Sequence, residues 1–146
     1  MKTRVFHPEN GENEIKEAAQ ILREGGLLAD TFLTSSNAVT ADGQLFNIDG
    51  NGNRVAAFCY GPKQVIVVAG MNKVVPDMDA AYSRVRGYTA PGVVQRFPAA
   101  KTPCNVTGLC ADCMSPDSCC CHFVHTRLCR PAKRIKVVLV GEDLGL

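Results

Sequence analysis

The stretch Gln64–Ala69, which reads QVIVVA, decides the fold of this chain. Four of its six residues are β-branched and apolar, so it predicts a strand with both faces buried, as in a parallel sheet. Arg134–Val140 (RIKVVLV) predicts a similar strand near the end of the chain, and Leu27–Thr34 predicts a short strand earlier. Because helices must cover the faces of such strands, the sequence predicts an α/β layered domain.

Three helical patterns accompany these strands. Glu12–Glu24 repeats apolar residues at helical spacing, Arg54–Tyr60 forms a short pattern, and Pro76–Arg86 forms an amphipathic one. Gly87 is expected to end the last of these helices, and residues 87–121 show little periodicity. The face that this helix is expected to bury consists of Met78, Ala81, Tyr82 and Val85.

A β-hairpin is predicted over Asn37–Ile48. Asp42 and Gly43 form the two-residue signal for a tight turn that needs positive φ. Apolar, strand-forming segments flank this signal at Ala38–Thr40 and Gln44–Phe46.

The charge balance and the hydropathy exclude several kinds of partner. The 146 residues carry a formal net charge of +2, too small to favour binding to nucleic acid or to an anionic membrane. The basic residues from Arg127 to Lys136 are interpreted as a solvated approach to the last strand. No apolar run is long enough to span a bilayer, and residues 1–10 lack the apolar segment of a secretory signal. The sequence therefore predicts a soluble cytoplasmic protein.

Cysteine is concentrated in one part of the chain. Seven of the eight cysteines lie in Cys104–Cys129. Cytoplasmic thiols stay reduced, so this density favours metal or redox chemistry over structural disulfides. Four cysteines with the spacing C-x5-C-x2-C-x6-C suffice for a tetrahedral zinc ion or a cubane iron–sulfur cluster. The predicted metal ligands are Cys104, Cys110, Cys113 and Cys120.

The identity of the metal stays open at this point. The spacing matches neither a zinc ribbon nor the bacterial ferredoxin run. Cys119, Cys120 and Cys121 are consecutive and cannot all face one ion, so at least one of them is spare or redox-active. The alternative interpretation is a loop of reduced thiols without a metal.

A second polar constellation reads NIDGNGNR. In it Asp49, Asn51 and Asn53 alternate as in a calcium loop. However, Arg54 replaces the required glycine and Tyr60 replaces the bidentate carboxylate, so calcium is rejected. Glycines that lead into a helix, with an arginine beside them, favour phosphate or carboxylate binding. The alternative interpretation is a helix cap and a turn.

Lys73 follows the QVIVVA strand closely. In open α/β sheets, ligands bind at the carboxyl ends of strands, so Lys73 is predicted to meet an anionic ligand. The alternative interpretation is a surface lysine in a loop. The chain contains no GxGxxG, P-loop or GxSxG motif, and its histidines do not predict a catalytic triad.

Several long motifs resemble the LUD domain family, which is named for its link to lactate utilisation. They include LTSSNAVTADG at Leu33–Gly43, NIDGNGNRVAA at Asn47–Ala57 and CADC at Cys110–Cys113. The chain is most similar to the stand-alone, cysteine-bearing branch, whose matching cysteines are the four predicted metal ligands. The resemblance implies a Rossmann-like layered sheet flanked by helices, akin to the isomerase and CoA-transferase superfamily. An irregular cysteine-rich loop is expected at residues 101–129.

The LUD-like part is expected to span residues 30–146 and to be incomplete at its N-terminus. Residues 1–29 instead resemble the opening of the threonylcarbamoyl-AMP synthase family and are expected to form a strand and a helix of uncertain origin. An incomplete layered sheet exposes strand edges and apolar helix faces. A homo-oligomer is therefore expected.

The resemblance implies an accessory role in the utilisation of lactate or another organic acid, beside iron–sulfur partner proteins. A small anionic metabolite would bind at the polar loops, and the cofactor would be an iron–sulfur cluster or zinc. The alternatives are a non-catalytic, metal-stapled structural or interaction module and a sugar-phosphate isomerase-like enzyme. The residues predicted to bind the ligand are Asn37, Thr40, Asp49, Asn51, Asn53, Arg54, Asn72 and Lys73.

Overall fold

The computed structural model describes residue 20 and residues 25–146. The predicted helix Glu12–Glu24 lies outside this range, apart from Gln20. The α-helices are α1 (Asn53–Cys59), α2 (Met78–Arg84), α3 (Ala90–Val94) and α4 (Pro103–Thr107), with a 3₁₀ turn at Met71–Lys73 and a π-helical turn at Val85–Thr89. The strands are β1 (Thr31–Thr34), β2 (Ala38–Thr40), β3 (Leu45–Asp49), β4 (Gln64–Gly70), β5 (Val74–Val75), β6 (His122–Thr126) and β7 (Ile135–Val140).

The strands form two sheets. β4 lies at the centre of a parallel three-stranded sheet, between β1 and β7. The other sheet is mixed and has the strand order β5-β2-β3-β6. The predicted α/β layered fold is confirmed, and its open sheets with flanking helices are consistent with a Rossmann-like architecture. The position of the QVIVVA strand in a parallel sheet is confirmed as well, but only one of its faces is fully buried: Val65 and Val67 are buried, whereas Ile66 and Val68 are half-buried.

The β2–β3 hairpin lies between the helical segment α2–α3 on one side and α1 with the parallel sheet on the other. Phe46 and Ile48 lie on one face of the hairpin and pack in a cluster with Ala81 of α2. Val39 and Leu45 lie on the opposite face and pack with α1 and with the inner face of β4. Because side chains alternate along a strand, burial of both faces ties the two sheets and the helices into one structure.

The hairpin is confirmed, but its loop has three residues rather than two. The Thr40 backbone N donates to Gln44 O at 2.9 Å, and the Gly43 backbone N donates to Thr40 O at 2.9 Å. Gly43 has a φ of 88°, while Asp42 does not take a positive φ. A three-residue loop needs a single left-handed residue, whereas a two-residue type I′ turn needs two.

The chain crosses twice from the parallel sheet to the mixed sheet. β1 leads into β2 through residues 35–37, and β4 leads into β5 through Met71–Lys73. β1 pairs with β4 in one sheet and β2 pairs with β5 in the other, both in parallel. The two crossings therefore run side by side at the carboxyl ends of β1 and β4.

The prediction that Gly87 ends the second long helix is wrong. Helical backbone continues from α2 through the π-helical turn into α3. Val85, Ala90 and Val94 are at most 1% exposed, so a continuous buried face outweighs the low helix propensity of one glycine. The wider turn lies just before Pro91, whose ring and missing N–H do not fit a regular α-helix.

Three further expectations need correction. Residues 25–28 are helical, so the strand predicted over Leu27–Thr34 begins only at Thr31. Tyr82 is 45% exposed rather than buried, because its ring stacks on the rim of the sheet against Phe123, with centroids 5.9 Å apart. The cysteine-rich loop at residues 101–129 is not wholly irregular, since it contains α4 and β6.

Arg134 is buried, contrary to its interpretation as part of a solvated basic approach. It is 9% exposed, whereas Arg127 and Arg130 are exposed. Its guanidinium donates to the carbonyl oxygens of Ala57 and Phe58 in the last turn of α1. These carbonyls lack partners inside the helix, so Arg134 caps α1 and complements its dipole.

The parallel sheet has two outer edges that pair with no other strand of the described residues. Val138 on β7 is 47% exposed, and Leu33 on β1 is 68% exposed. Exposed apolar residues on the outer strands are what the prediction of a homo-oligomer assumed, and the oligomer itself stays a prediction. The domain boundary between residues 29 and 30 also stays a prediction. No helix within the described part is long and apolar enough to cross a membrane.

Replacing Arg134 by alanine is expected to lower the free energy of unfolding by about 2–4 kcal/mol, because buried carbonyl oxygens lose a charged donor. Urea unfolding followed by circular dichroism measures the change. Arg130→Ala removes an exposed arginine and is the matched control, with an expected change below about 0.5 kcal/mol. Equal effects of the two substitutions would contradict the capping role.

Candidate functional site

A cavity of about 550 Å³ lies where the two crossings meet the loop that follows β3. Five of the eight residues predicted to bind a ligand line it: Asn37, Asp49, Asn51, Arg54 and Lys73. The other lining residues come from the end of β1 and the first crossing, from β3 and the loop after it, from α3 and the turn after it, and from the cysteine segment, which is residues 101–129: Thr34, Ser35, Ser36, Ile48, Gly50, Val93, Phe97, Asp117, Ser118 and Cys119.

Three predicted ligand-binding residues do not line this cavity. The Thr40 hydroxyl donates to Asp42 Oδ1 at 2.5 Å and stabilises the hairpin loop. The Asn72 side-chain amide donates to Gly145 O at 2.9 Å and holds the segment after β7. Asn53 is the first residue of α1. Ligand binding stays a prediction for all eight residues.

Lys73 is a buried cation in the cavity wall. It is 6% exposed, and its Nζ donates to Ser35 Oγ at 3.1 Å. No carboxylate of the described residues forms an ion pair with it. Because an ammonium group has three N–H donors, two remain for a ligand. Burial and the nearby charges of Arg84 and Arg54 lower the pKa of Lys73.

Arg54 is fully engaged with the protein. Its Nε pairs with Asp49 Oδ2 at 3.3 Å. Its two terminal nitrogens donate at 2.7–3.1 Å to Ser35 O, Ile48 O, Asn37 Oδ1 and Asn47 Oδ1. An arginine has five N–H donors, so Arg54 has none left for a ligand and contributes only its charge. Its main effect is to join the first crossing to β3 and α1.

Arg84 clamps both crossings from the side of α2. Its Nη1 donates to Asn37 O at 2.8 Å, and its Nε donates to Asn72 O at 3.1 Å. Burial lowers the pKa of Arg84. The backbone of each crossing is therefore fixed relative to the other.

The surroundings of the crossings have an excess of positive charge. Arg54, Lys73 and Arg84 all lie there, and within the described part Asp49 is the one carboxylate that pairs with any of them. Asp117 also lines the cavity, and its carboxylate accepts a hydrogen bond from the Lys101 backbone N at 2.8 Å. Burying unpaired charge is unfavourable, so this arrangement favours an anion beside Lys73.

Asn47 supports the wall behind Arg54. Its side chain is fully buried, and its Oδ1 accepts hydrogen bonds from Asn37 N at 3.0 Å and Arg54 Nη1 at 2.8 Å. These donors fix the orientation of the amide. Its Nδ2 is left without an acceptor among the described residues. A buried amide of this kind is rare and marks a place where water or a ligand can supply an acceptor.

Ser35, Ser36 and Phe97 line the cavity but were not predicted from the sequence. Ser35 follows β1 in the way that Lys73 follows β4, so the rule that ligands meet the carboxyl ends of strands applied to it as well. Phe97 lies after α3, in a segment with little periodicity, and no sequence pattern indicates that it reaches the cavity.

The four cysteines predicted to bind a metal line one small cavity of about 70 Å³. Cys119 lines it too, and all eight cysteines of the chain are free. Tetrahedral zinc needs thiolate sulfurs about 3.8 Å apart, given its Zn–S distance. The Cys119 and Cys120 sulfurs are 4.0 Å apart, but no group of three His, Cys, Asp or Glu side chains in the described range could hold a metal ion.

The 70 Å³ cavity, here called the cysteine cavity, is lined by sulfurs of the kind that bind metals, but among the described residues these sulfurs do not converge on one point. The Cys110 sulfur accepts hydrogen bonds from Arg86 Nη2 at 3.1 Å and Nε at 3.3 Å. The hydrogen bond between Cys119 and Cys120 lowers the pKa of Cys119 and raises that of Cys120. Hydrogen bonds to cysteine sulfur are among the features that tune iron–sulfur clusters.

Comparison with known proteins agrees with the motifs quoted above. No curated protein and no solved structure matches the chain significantly. The LUD domain family model matches residues 2–140, which is nearly the whole chain and includes most of residues 1–29. The chain therefore belongs to the LUD domain family, and it is a member of a family related to lactate utilisation.

Proposed function

We propose that this LUD-domain protein assists in the utilisation of lactate or a related organic acid by binding a small organic anion at Lys73. The observation that carries the proposal is a lysine, 6% exposed, with two spare N–H donors and no carboxylate partner among the described residues. A carboxylate or a phosphate supplies both the missing charge and the missing acceptors. A cytoplasmic location, a homo-oligomer and iron–sulfur partner proteins stay predictions.

The neighbours of Lys73 support an anion of this class. Ser35 Oγ accepts from Lys73 and donates to Ser36 O over a long 3.4 Å, so its hydroxyl can turn this proton to a ligand oxygen at little cost. Arg54 and Arg84 add positive charge, and an arginine side chain has no acceptor that could compete with the anion for the N–H groups of Lys73. Asn51 is an exposed residue of the cavity wall and adds an amide that can donate a hydrogen bond. The charge at this site thus favours an anion over a neutral ligand.

Replacing Lys73 by methionine is expected to weaken the binding of lactate, pyruvate or phosphate by about tenfold to a hundredfold, because a charged hydrogen bond is lost. Stability should not fall, since the substitution removes a buried charge without a partner. Isothermal titration calorimetry measures the affinity, and thermal unfolding measures the stability.

Lys63→Met is the matched control, because Lys63 is exposed, pairs with Asp30 at 2.6 Å and does not line the 550 Å³ cavity. It should leave the affinity unchanged. Arg54 is unsuited to this test, since its removal strands five acceptors and destabilises the chain. Wild-type affinity in Lys73→Met would refute the proposed site.

Anion binding is expected to weaken as the pH rises through the lowered pKa of Lys73. The protonated amine binds the anion, so affinity is complete below that pKa and is lost above it. Without a ligand, the free energy of unfolding is expected to rise with pH between the lowered pKa of Lys73 and the ordinary lysine value. The reason is that the unfolded chain holds this proton more tightly than the folded chain does. Calorimetric titrations from about pH 7 to about pH 10 test the first trend. The same pH profile in Lys73→Met would show that another group is responsible.

We also propose that the cysteine cavity binds zinc or an iron–sulfur cluster. The support for this metal site is that five cysteines line one cavity of about 70 Å³. A non-catalytic structural module held together by the metal would use the same cavity. Cys110–Cys121 contains no helix or strand, so its thiols can close on a metal without unfolding an element. Cys104, on α4, supplies a fixed point.

Protein purified without oxygen is expected to contain iron or zinc, and Cys113→Ser should lower the metal content and the thermal stability, because a thiolate ligand is lost. Elemental analysis and the visible spectrum measure the metal and distinguish a brown cluster from colourless zinc. Cys59→Ser is the matched control, since Cys59 is exposed and does not line the cavity. Wild-type protein without any metal would remove this proposal.

A further inference from the structure

We infer that the ligand of the 550 Å³ cavity is larger than a three-carbon acid and carries an aromatic or branched apolar body behind its anionic group. The inference rests on the proposed anion site at Lys73. The anionic group meets Lys73 and Ser35, and the apolar body lies against Val93 and Phe97. The chemical class is therefore an amphipathic organic anion, such as an aryl-substituted 2-hydroxy or 2-oxo acid.

The size of the cavity supports a larger ligand. Lactate has six heavy atoms, and even if each took the volume of a liquid water, about 30 Å³, the acid would fill only about a third of the space. The cavity of about 550 Å³ falls within the range that encloses drug-sized ligands. A three-carbon acid would leave most of this volume to water.

The wall of the cavity is divided between charge and apolar surface. Lys73, Ser35 and Asn51 are polar, whereas Ile48, Val93 and Phe97 are apolar. A bare carboxylate uses only the polar part of the wall. An apolar body removes the other part from water, which contributes about 25 cal/mol for each Å² buried.

Phe97 is presented to the cavity on a fixed backbone. Its N donates to Val94 O at 2.8 Å, and its O accepts from Ala100 N at 2.9 Å. Val94 is 1% exposed and anchors this turn to the core, while Phe97 itself is 57% exposed. A rigid backbone with an uncovered ring is suited to packing against a ligand, because little conformational entropy is lost on binding.

An exposed aromatic ring does not by itself indicate a ligand, because other rings of the chain are exposed as well. Tyr60 and Tyr88 are 86% and 56% exposed, and neither lines the cavity. Phe97 differs from them because it shares one cavity with the buried ammonium of Lys73. That juxtaposition is what predicts a ligand with both an anionic and an apolar part.

The test compares two acids with one headgroup, lactate and 3-phenyllactate, by calorimetry on the full chain. We expect 3-phenyllactate to bind at least about tenfold more tightly than lactate. Phe97→Ala should remove most of this difference, because it should weaken 3-phenyllactate binding much more than lactate binding. Lys73→Met should weaken both acids by a similar factor, and Tyr60→Ala should change neither. Phosphate and phenyl phosphate repeat the comparison for the other headgroup.

The outcomes separate this inference from the proposed function. Equal affinity for both members of each pair would overturn the inference and leave the anion site standing. A preference for the phenyl compounds that persists in Phe97→Ala would also overturn it, because the apolar body would then lie elsewhere. Failure of all four anions to bind would overturn the proposed function together with the inference.

Discussion

The structure depends on positive charge placed where two neighbouring strands cross from one sheet to the other. Arg54 gives all its donors to oxygens of the first crossing and of β3. Arg84 donates to the backbone of both crossings. The two arginines therefore hold the crossings together, while Lys73 beside them donates to Ser35 Oγ and keeps two N–H groups for a ligand. This division of roles keeps the backbone around Lys73 in place and leaves its free donors to the proposed anion.

Much of the fold could be predicted from local pattern, because β-branched runs and turn residues act over a few positions. The QVIVVA strand, the hairpin around Gly43 and the placement of Lys73 after a strand were predicted in this way. The continuation of helix through Gly87 could not be, since it depends on a buried face that forms only in the folded chain. Arg54 was predicted to bind a ligand because of its neighbours in sequence. Its partners at Ser35 and Asn37 are separated from it by 19 and 17 residues and could not be inferred.

The cysteine segment contributes to both cavities. Ser118 and Cys119 line the large cavity and the small one. A Cβ atom at Gly50 would lie 3.5 Å from the Cys119 Cα, so the loop after β3 packs on the backbone of this segment. The spacing of cysteines in a sequence indicates ligand chemistry but not convergence, which depends on the path of the chain between them. Here the same path also shapes one wall of the anion cavity, so the two candidate sites are parts of one structural unit.

Lys73 is buried with no acidic partner among the described residues, and we propose that it is paired only when an anion binds. Nuclear magnetic resonance of lysines labelled with carbon-13 at Cε follows the protonation of each side chain separately. We expect Lys73 to titrate below the ordinary lysine value, and we expect saturating phosphate or 3-phenyllactate to raise its pKa. A Lys73 that titrates together with the exposed lysines, and does not respond to either anion, would refute the anion site at this residue.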